Sequence, residues 1–191
     1  MNSLTIFNKS TESDTMEAQD KGLYERLEEI GQILRLTTTQ MVACPASPVE
    51  IAGIVAADIF DAGDCFGTLT IVHVPKRGII YSATFWDMDD EGSQVDLEVF
   101  KNSIAQIASD AAWAPPDADT LNFITELAFA GFDDHTNNQT SEINGINKGY
   151  TAPEGKLWIQ AVCRGTPTIA VANMPRFQLQ IISFDPDFKE S

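Results

Sequence analysis

Two apolar runs, Ile79–Trp86 and Val95–Phe100, flank an acidic connection, Asp87–Gly92. That is the signature of a strand, a polar turn and a second strand. Within Val95–Phe100 the alternation is strict. Val95, Leu97 and Val99 face one way, and Asp96, Glu98 and Phe100 face the other. Such a strand is expected to cover a core on one face and to meet solvent on most of the other. Short runs of this kind recur along the chain. Thr68–Val74 is a strand ended by Pro75, with Lys76-Arg77-Gly78 as a turn before Ile79. A direct hairpin and a crossing between two sheets are both open for this pair. Residues 123–132 form another strand, and Thr168–Ala172 a short edge. In Gly155–Cys163, Leu157, Ile159 and Ala161 alternate with Trp158, Gln160 and Val162. In Arg176–Phe184, Phe177, Leu179 and Ile181 oppose Gln178 and Gln180. About seven to nine closely spaced strands without regular intervening helices indicate a mainly β fold, a β-sandwich or jelly roll, and exclude repeated βαβ units.

Helical periodicity is confined to two places. In residues 23–36, Leu23, Leu27, Ile30 and Leu34 share one face, widened by Ile33, with Glu25, Glu28 and Glu29 off it. Asp20 can cap the start, and the run Thr37-Thr38-Thr39 ends helix propensity. A helix of about four turns is marginal alone, so its stripe needs a surface, on its own domain or on copies of itself. In Ser103–Ala112, Ile104, Ile107, Ala108 and Ala111 lie on one side of a second helix. Pro115-Pro116 stops it, and Asp117 offers a cap for a short turn at 118–122. Residues 133–149 read as a polar loop with Asn144-Gly145 and Lys148-Gly149 as turns. Pro45 and Pro48 mark a linker. The expected organisation is an arm over 1–22, held by a partner or flexible, an amphipathic helix and linker over 23–44, and a β-sandwich domain over 45–191.

Charge narrows the partners. Lys+Arg number 12 against 28 Asp+Glu, a formal charge of −16, and no cationic residue falls between Lys101 and Lys148. Such a surface repels nucleic acid and anionic lipid, so neither is an expected partner; a basic partner or a divalent cation is compatible with it. Cys44, Cys65 and Cys163 are odd in number, widely spaced and without a CxxC pair, which points to buried thiols and a reducing compartment. The N-terminus lacks the pattern of a secretory signal, and no stretch approaches the roughly 18 apolar residues of a membrane helix.

Few residues suggest chemistry. Asp87, Asp89, Asp90 and Glu91 are weak candidates for a calcium or magnesium site, because hard cations want carboxylate oxygens. Their spacing is not that of an EF-hand: Gly92 comes too early and the closing Glu is missing. Solvated turn residues are the plainer explanation. Asp117 and Asp119 form a second, weaker cluster. His73 lies within a strand as a packed or interfacial residue. GDCFG at 63–67 fails the nucleophile-elbow pattern at its central residue, and no glycine-rich phosphate loop follows a strand. No catalytic set and no cofactor are therefore expected. Trp86, Trp113 and Trp158 can stack on sugar rings, but core or interface explains each more simply. Trp113, beside Pro115-Pro116, is the strongest interface candidate, together with the stripe Leu23, Leu27, Ile30 and Leu34.

Four elements carry a family resemblance: the turn Asp87–Asp90 (DMDD), the strand Leu97–Phe100 (LEVF), the loop Ala112–Asp119 (AWAPPDAD) and Leu157–Thr168 (LWIQAVCRGTPT). Over about 65–184 the chain resembles tailed-bacteriophage virion structural proteins of the head-decoration or related accessory kind. Glu98 stands where the family pattern has a hydrophobic residue, which suggests a wet face there. The resemblance implies a non-enzymatic particle component, first of all a capsid decoration (cement) protein on the capsid exterior. It implies a homotrimer bound to the major capsid protein or another virion protein, made in the host cytoplasm. A tail or fibre-attachment component and a lectin-like receptor-binding module are the alternatives.

Overall fold

The structure is a computed structural model, and it describes residues 22, 25–27, 39–55, 59–170, 173–185 and 187–189. The chain divides into two units, Met1–Thr38 and Thr39–Ser191. In the first, Gly22 and Glu25–Leu27 are helical, and Leu27 is exposed. Residues 1–21 of the arm, and Leu23, Ile30 and Leu34 of the expected stripe, lie outside the described residues.

The second unit is mainly β and is built as two antiparallel sheets, consistent with a β-sandwich. Ten strands are described: β1 (Gln40–Glu50), β2 (Thr70–His73), β3 (Arg77–Asp87), β4 (Val95–Phe100), β5 (Phe123–Phe129), β6 (Asp133–Asp134), β7 (Gln139–Ile143), β8 (Lys148–Thr151), β9 (Lys156–Cys163) and β10 (Arg176–Ser183). The larger sheet has the order β1-β10-β3-β7-β6, with β8 also paired to β3. The smaller has the order β2-β9-β4-β5. Consecutive β2 and β3 therefore lie in different sheets, which decides between the hairpin and the crossing.

Period-two patterning fills the space between the sheets. Val95, Leu97 and Val99 lie in register with Cys163, Ala161 and Ile159 on one side and Phe129, Leu127 and Thr125 on the other. From the larger sheet, Ile80, Phe85, Phe177, Leu179 and Ile181 are buried in the same core. Phe85 packs on Phe129 at 5.4 Å between ring centroids, joining the two sheets.

Four expectations fail. The linker at Pro45 and Pro48 is instead strand β1. Both prolines fall where the register with β10 is interrupted, between Cys44 and Val49. An edge strand tolerates residues lacking an N–H. The Gln178 side chain donates to the Pro45 and Ala46 carbonyls at 2.8 and 3.0 Å, replacing ladder bonds. The polar loop at 133–149 contains β6, β7 and the start of β8. Residues 139–151 run beside β3 as one interrupted strand, with Ile146 N–H donating to the Tyr81 carbonyl across the break. The helix at Ser103–Ala112 is absent, and its residues form turns and extended chain. The turn after Pro116 is a one-turn helix, Asp117–Thr120. Pro116 rather than Asp117 occupies its cap position, and no side chain caps it.

Candidate functional site

The acidic turn after β3 is a closed hydrogen-bonded device. Asp87 is buried. Its Oδ1 accepts from the Asp89 N–H at 3.0 Å, and its Oδ2 from the Glu91 and Gly92 N–H groups at 3.0 and 2.7 Å. Asp90 and Gly92 both take positive φ, 61° and 62°, which Asp tolerates and Gly adopts without cost. The turn then grips a second segment. Glu91 accepts from the Thr168 N–H at 2.8 Å, and Asp89 accepts from the Ala170 N–H at 2.7 Å and the Asn173 side chain at 2.9 Å. Asp87, Asp89 and Glu91, three of the four weak metal candidates of the sequence, are thus each taken up by separate backbone partners, and the fourth, Asp90, occupies the positive-φ position of the turn. Among the described residues no three His, Cys, Asp or Glu side chains converge as a metal-ligand set.

The outward face of β4 is not wet. Asp96 and Glu98 are buried, 3% and 9% exposed, and so is Phe100. Two neighbours cover this face: Arg164 pairs with Asp96, and residues 103–113 fold over the Phe100 end as a roof anchored to the segment before β2. Cys65 N–H donates to the Ala111 carbonyl, Trp113 N–H to the Gly63 carbonyl and Asp110 N–H to the Cys65 carbonyl. Ile104, expected on a helix face, instead packs with Phe100, Trp158, Leu69 and Trp113 in a second apolar cluster. The far side of the roof returns to β5 through Lys101 N–H to the Asn122 carbonyl and Ala105 N–H to Asp119 Oδ2. Asp119 thus has a structural partner. Trp113, half-buried, meets the Phe100 ring edge-on at 6.1 Å.

Where the roof stops, a groove of ≈ 310 Å³ remains, lined by Glu98, Phe100, Trp113, Pro115, Thr120, Phe123 and Glu126. Glu98 and Glu126 are direct cross-strand partners of β4 and β5, and Gln160 of β9 lies on the other side of Glu98. Arg164, just past β9, is the cation here. Its Nε pairs with Asp96, and its terminal nitrogen sits 4.0 Å from Glu98 and 3.8 Å from Glu126. The second Asp96 oxygen is buried with no hydrogen-bond partner. One guanidinium therefore faces three carboxylates. Burial first, then the charge on Glu126, push the Glu98 carboxyl up to about 7 against the lowering pull of Arg164. A carboxyl raised on folding contributes full stability below its unfolded value near 4.5 and loses it as pH climbs towards 7. Glu98→Gln is thus expected to exceed the parent in stability at pH 8 by about 1–3 kcal/mol, with the gap closing below pH 5. Urea unfolding at several pH values checks this; equal stability of the two proteins at pH 8 refutes it.

Elsewhere the chemistry is quiet. Cys44, Cys65 and Cys163 are all buried, and burial followed by the Asp64 charge pushes the Cys65 thiol up to about 11. Burial raises the Cys163 thiol as well, so these two thiols stay protonated, and all three cysteines pack as small apolar groups. His73, expected to be packed or interfacial, is exposed on β2, and Trp158 is buried. Of the predicted interface residues, Trp113 lines the groove and Leu27 is exposed. The pair Glu98 and Glu126 was missed, because it is assembled by strand register across a gap of 28 positions (126 − 98). No helix among the described residues is long and apolar enough to cross a membrane. The chain matches no family model, no curated protein and no solved structure.

Proposed function

We propose that this chain is a non-enzymatic structural component of a bacteriophage particle, a capsid decoration protein that acts on the capsid exterior as a homotrimer. The observation that carries this reading is the mutual packing of the four elements behind the resemblance. Glu91, next to the first element, accepts from Thr168, at the end of the fourth element. Arg164, within that fourth element, pairs with Asp96, beside the second. Phe100 of the second element meets Trp113 of the third, and is in register with Trp158 of the fourth. Their polar and aromatic residues hold a sandwich together, which is the work of a scaffold rather than of a reaction centre. A charge of −16 suits a solvent-facing station better than one beside packaged DNA. Ile71, Leu121 and Phe123, each exposed, supply apolar surface for neighbouring subunits or the major capsid protein.

A lectin-like receptor-binding role is the second reading, favoured by the aromatic lining of the groove. Electron cryomicroscopy of the intact particle separates the two, together with the tail or fibre-attachment station. Hundreds of copies over the capsid lattice, in threes, are expected. A single ring or a few copies at the tail vertex, or absence from the particle, overturns the decoration reading.

A further inference from the structure

The groove beneath Trp113 carries an inference that goes beyond the particle assignment and does not depend on it. We propose that it receives an arginine side chain of a partner protein, the guanidinium held between Glu98 and Glu126 with its plane against the aromatic wall. Charge complementarity is the first argument. Asp96 and Glu98 of β4 and Glu126 of β5 face Arg164 alone, and the other lining residues, Phe100, Trp113, Pro115, Thr120 and Phe123, carry no charge. Gln160, the β9 neighbour of Glu98, is neutral too. Arg164 is committed by its Nε to Asp96 and stands 3.8–4.0 Å from the two glutamates, and the hydrogen bond that the protonated Glu98 carboxyl makes to Glu126 is one an arriving guanidinium replaces. Shape is the second argument. Glutamates directly opposite on antiparallel strands lie a few ångströms apart, a spacing that a planar five-donor group can bridge and a point-like ammonium bridges less well. Stacking is the third: Phe123 is 43% exposed and Trp113 half-buried, offering ring surface to a cation. The occupant belongs to a basic partner, because this chain, with 12 Lys+Arg against 28 Asp+Glu, is itself poor in the cation the groove takes.

The raised carboxyl of Glu98 gives the site a pH signature. An arriving cation favours the ionised form, so binding strengthens as pH rises through about 7. The test uses the full chain and a one-arginine peptide, acetyl-Gly-Arg-Gly-amide, followed by NMR on the Trp113 indole and on backbone amides of β4 and β5. Saturable shifts confined to the groove are expected, with affinity at least threefold higher at pH 8 than at pH 6 and falling with salt. Glu126→Gln should weaken binding at least fivefold. This side chain is 46% exposed, so the fold is expected to survive, and near-ultraviolet circular dichroism verifies that it has. The inference is overturned if the matching citrulline peptide binds equally well, if Glu126→Gln changes nothing, or if methyl glucoside moves these resonances while the arginine peptide does not. The last outcome would assign the groove to a saccharide.

Discussion

Replacing Arg164 by Met is expected to destabilise the sandwich by about 3–5 kcal/mol. Methionine preserves most of the apolar stem, so the loss isolates the charge. Asp96 is 3% exposed and has one oxygen already without a hydrogen-bond partner. Without the guanidinium its carboxylate is a buried charge that no other cation among the described residues balances, and Glu98 and Glu126 lose the cation they share. The compensating experiment is Asp96→Asn in the same chain. Removing the charge that needed the partner should recover at least half of the deficit, because a broken pair costs far more than an absent one. Chemical denaturation of the two single variants and the double variant gives the coupling. Additive losses would mean that the pair contributes no more than an exposed surface bridge.

Asp87→Ala is the second large effect, about 3 kcal/mol or more. Its two oxygens accept three backbone N–H groups within the turn, and each donor left without a partner in a part-buried site costs about 1 kcal/mol or more. The damage should spread beyond the turn, since Asp89 and Glu91 hold Thr168, Ala170 and Asn173 only while the turn aims them. Hydrogen exchange is expected to show lost protection at Asp89, Glu91 and Gly92 and at the distant Thr168 and Ala170. Asp90→Gly is the control: its φ of 61° suits glycine, so stability should stay within about 0.5 kcal/mol. Protection unchanged at Thr168 and Ala170 in the Asp87→Ala protein would separate the turn from the segment it is argued to hold.

How far residues alone carry is clearest in β4. Alternation correctly assigned Val95, Leu97 and Val99 to the core, because side-chain direction in a strand is fixed by the backbone whatever surrounds it. It wrongly assigned the opposite face to water. Whether the Phe100 end of that face is wet depends on residues 103–113, which are tied by hydrogen bonds to 63–65, some 40 to 50 positions away, and the Asp96 end depends on Arg164. The same roof explains the missing helix. Ser103–Ala112 has alanines and suitable spacing, but Ile104 gains more by joining Phe100 and Trp158 than a short isolated helix gains by forming. At 139–151 the polar side chains concealed a strand, since at a sheet margin the backbone ladder to β3 needs little apolar surface.

The sequence by itself determined the fold class, the positions of the strands at β2, β3, β4, β5, β9 and β10, and the inward-facing half of β4 and β10, because these follow from a local period of two. It also showed where the chain's negative charge concentrates. Only the tertiary structure decided the sheet to which each strand belongs, the backbone partners of the acidic turn, and the meeting of Glu98, Glu126, Arg164 and Trp113 at one groove. Those are matters of register and loop closure between residues far apart in the chain, and the interactions that fix them leave no periodic trace in the order of amino acids.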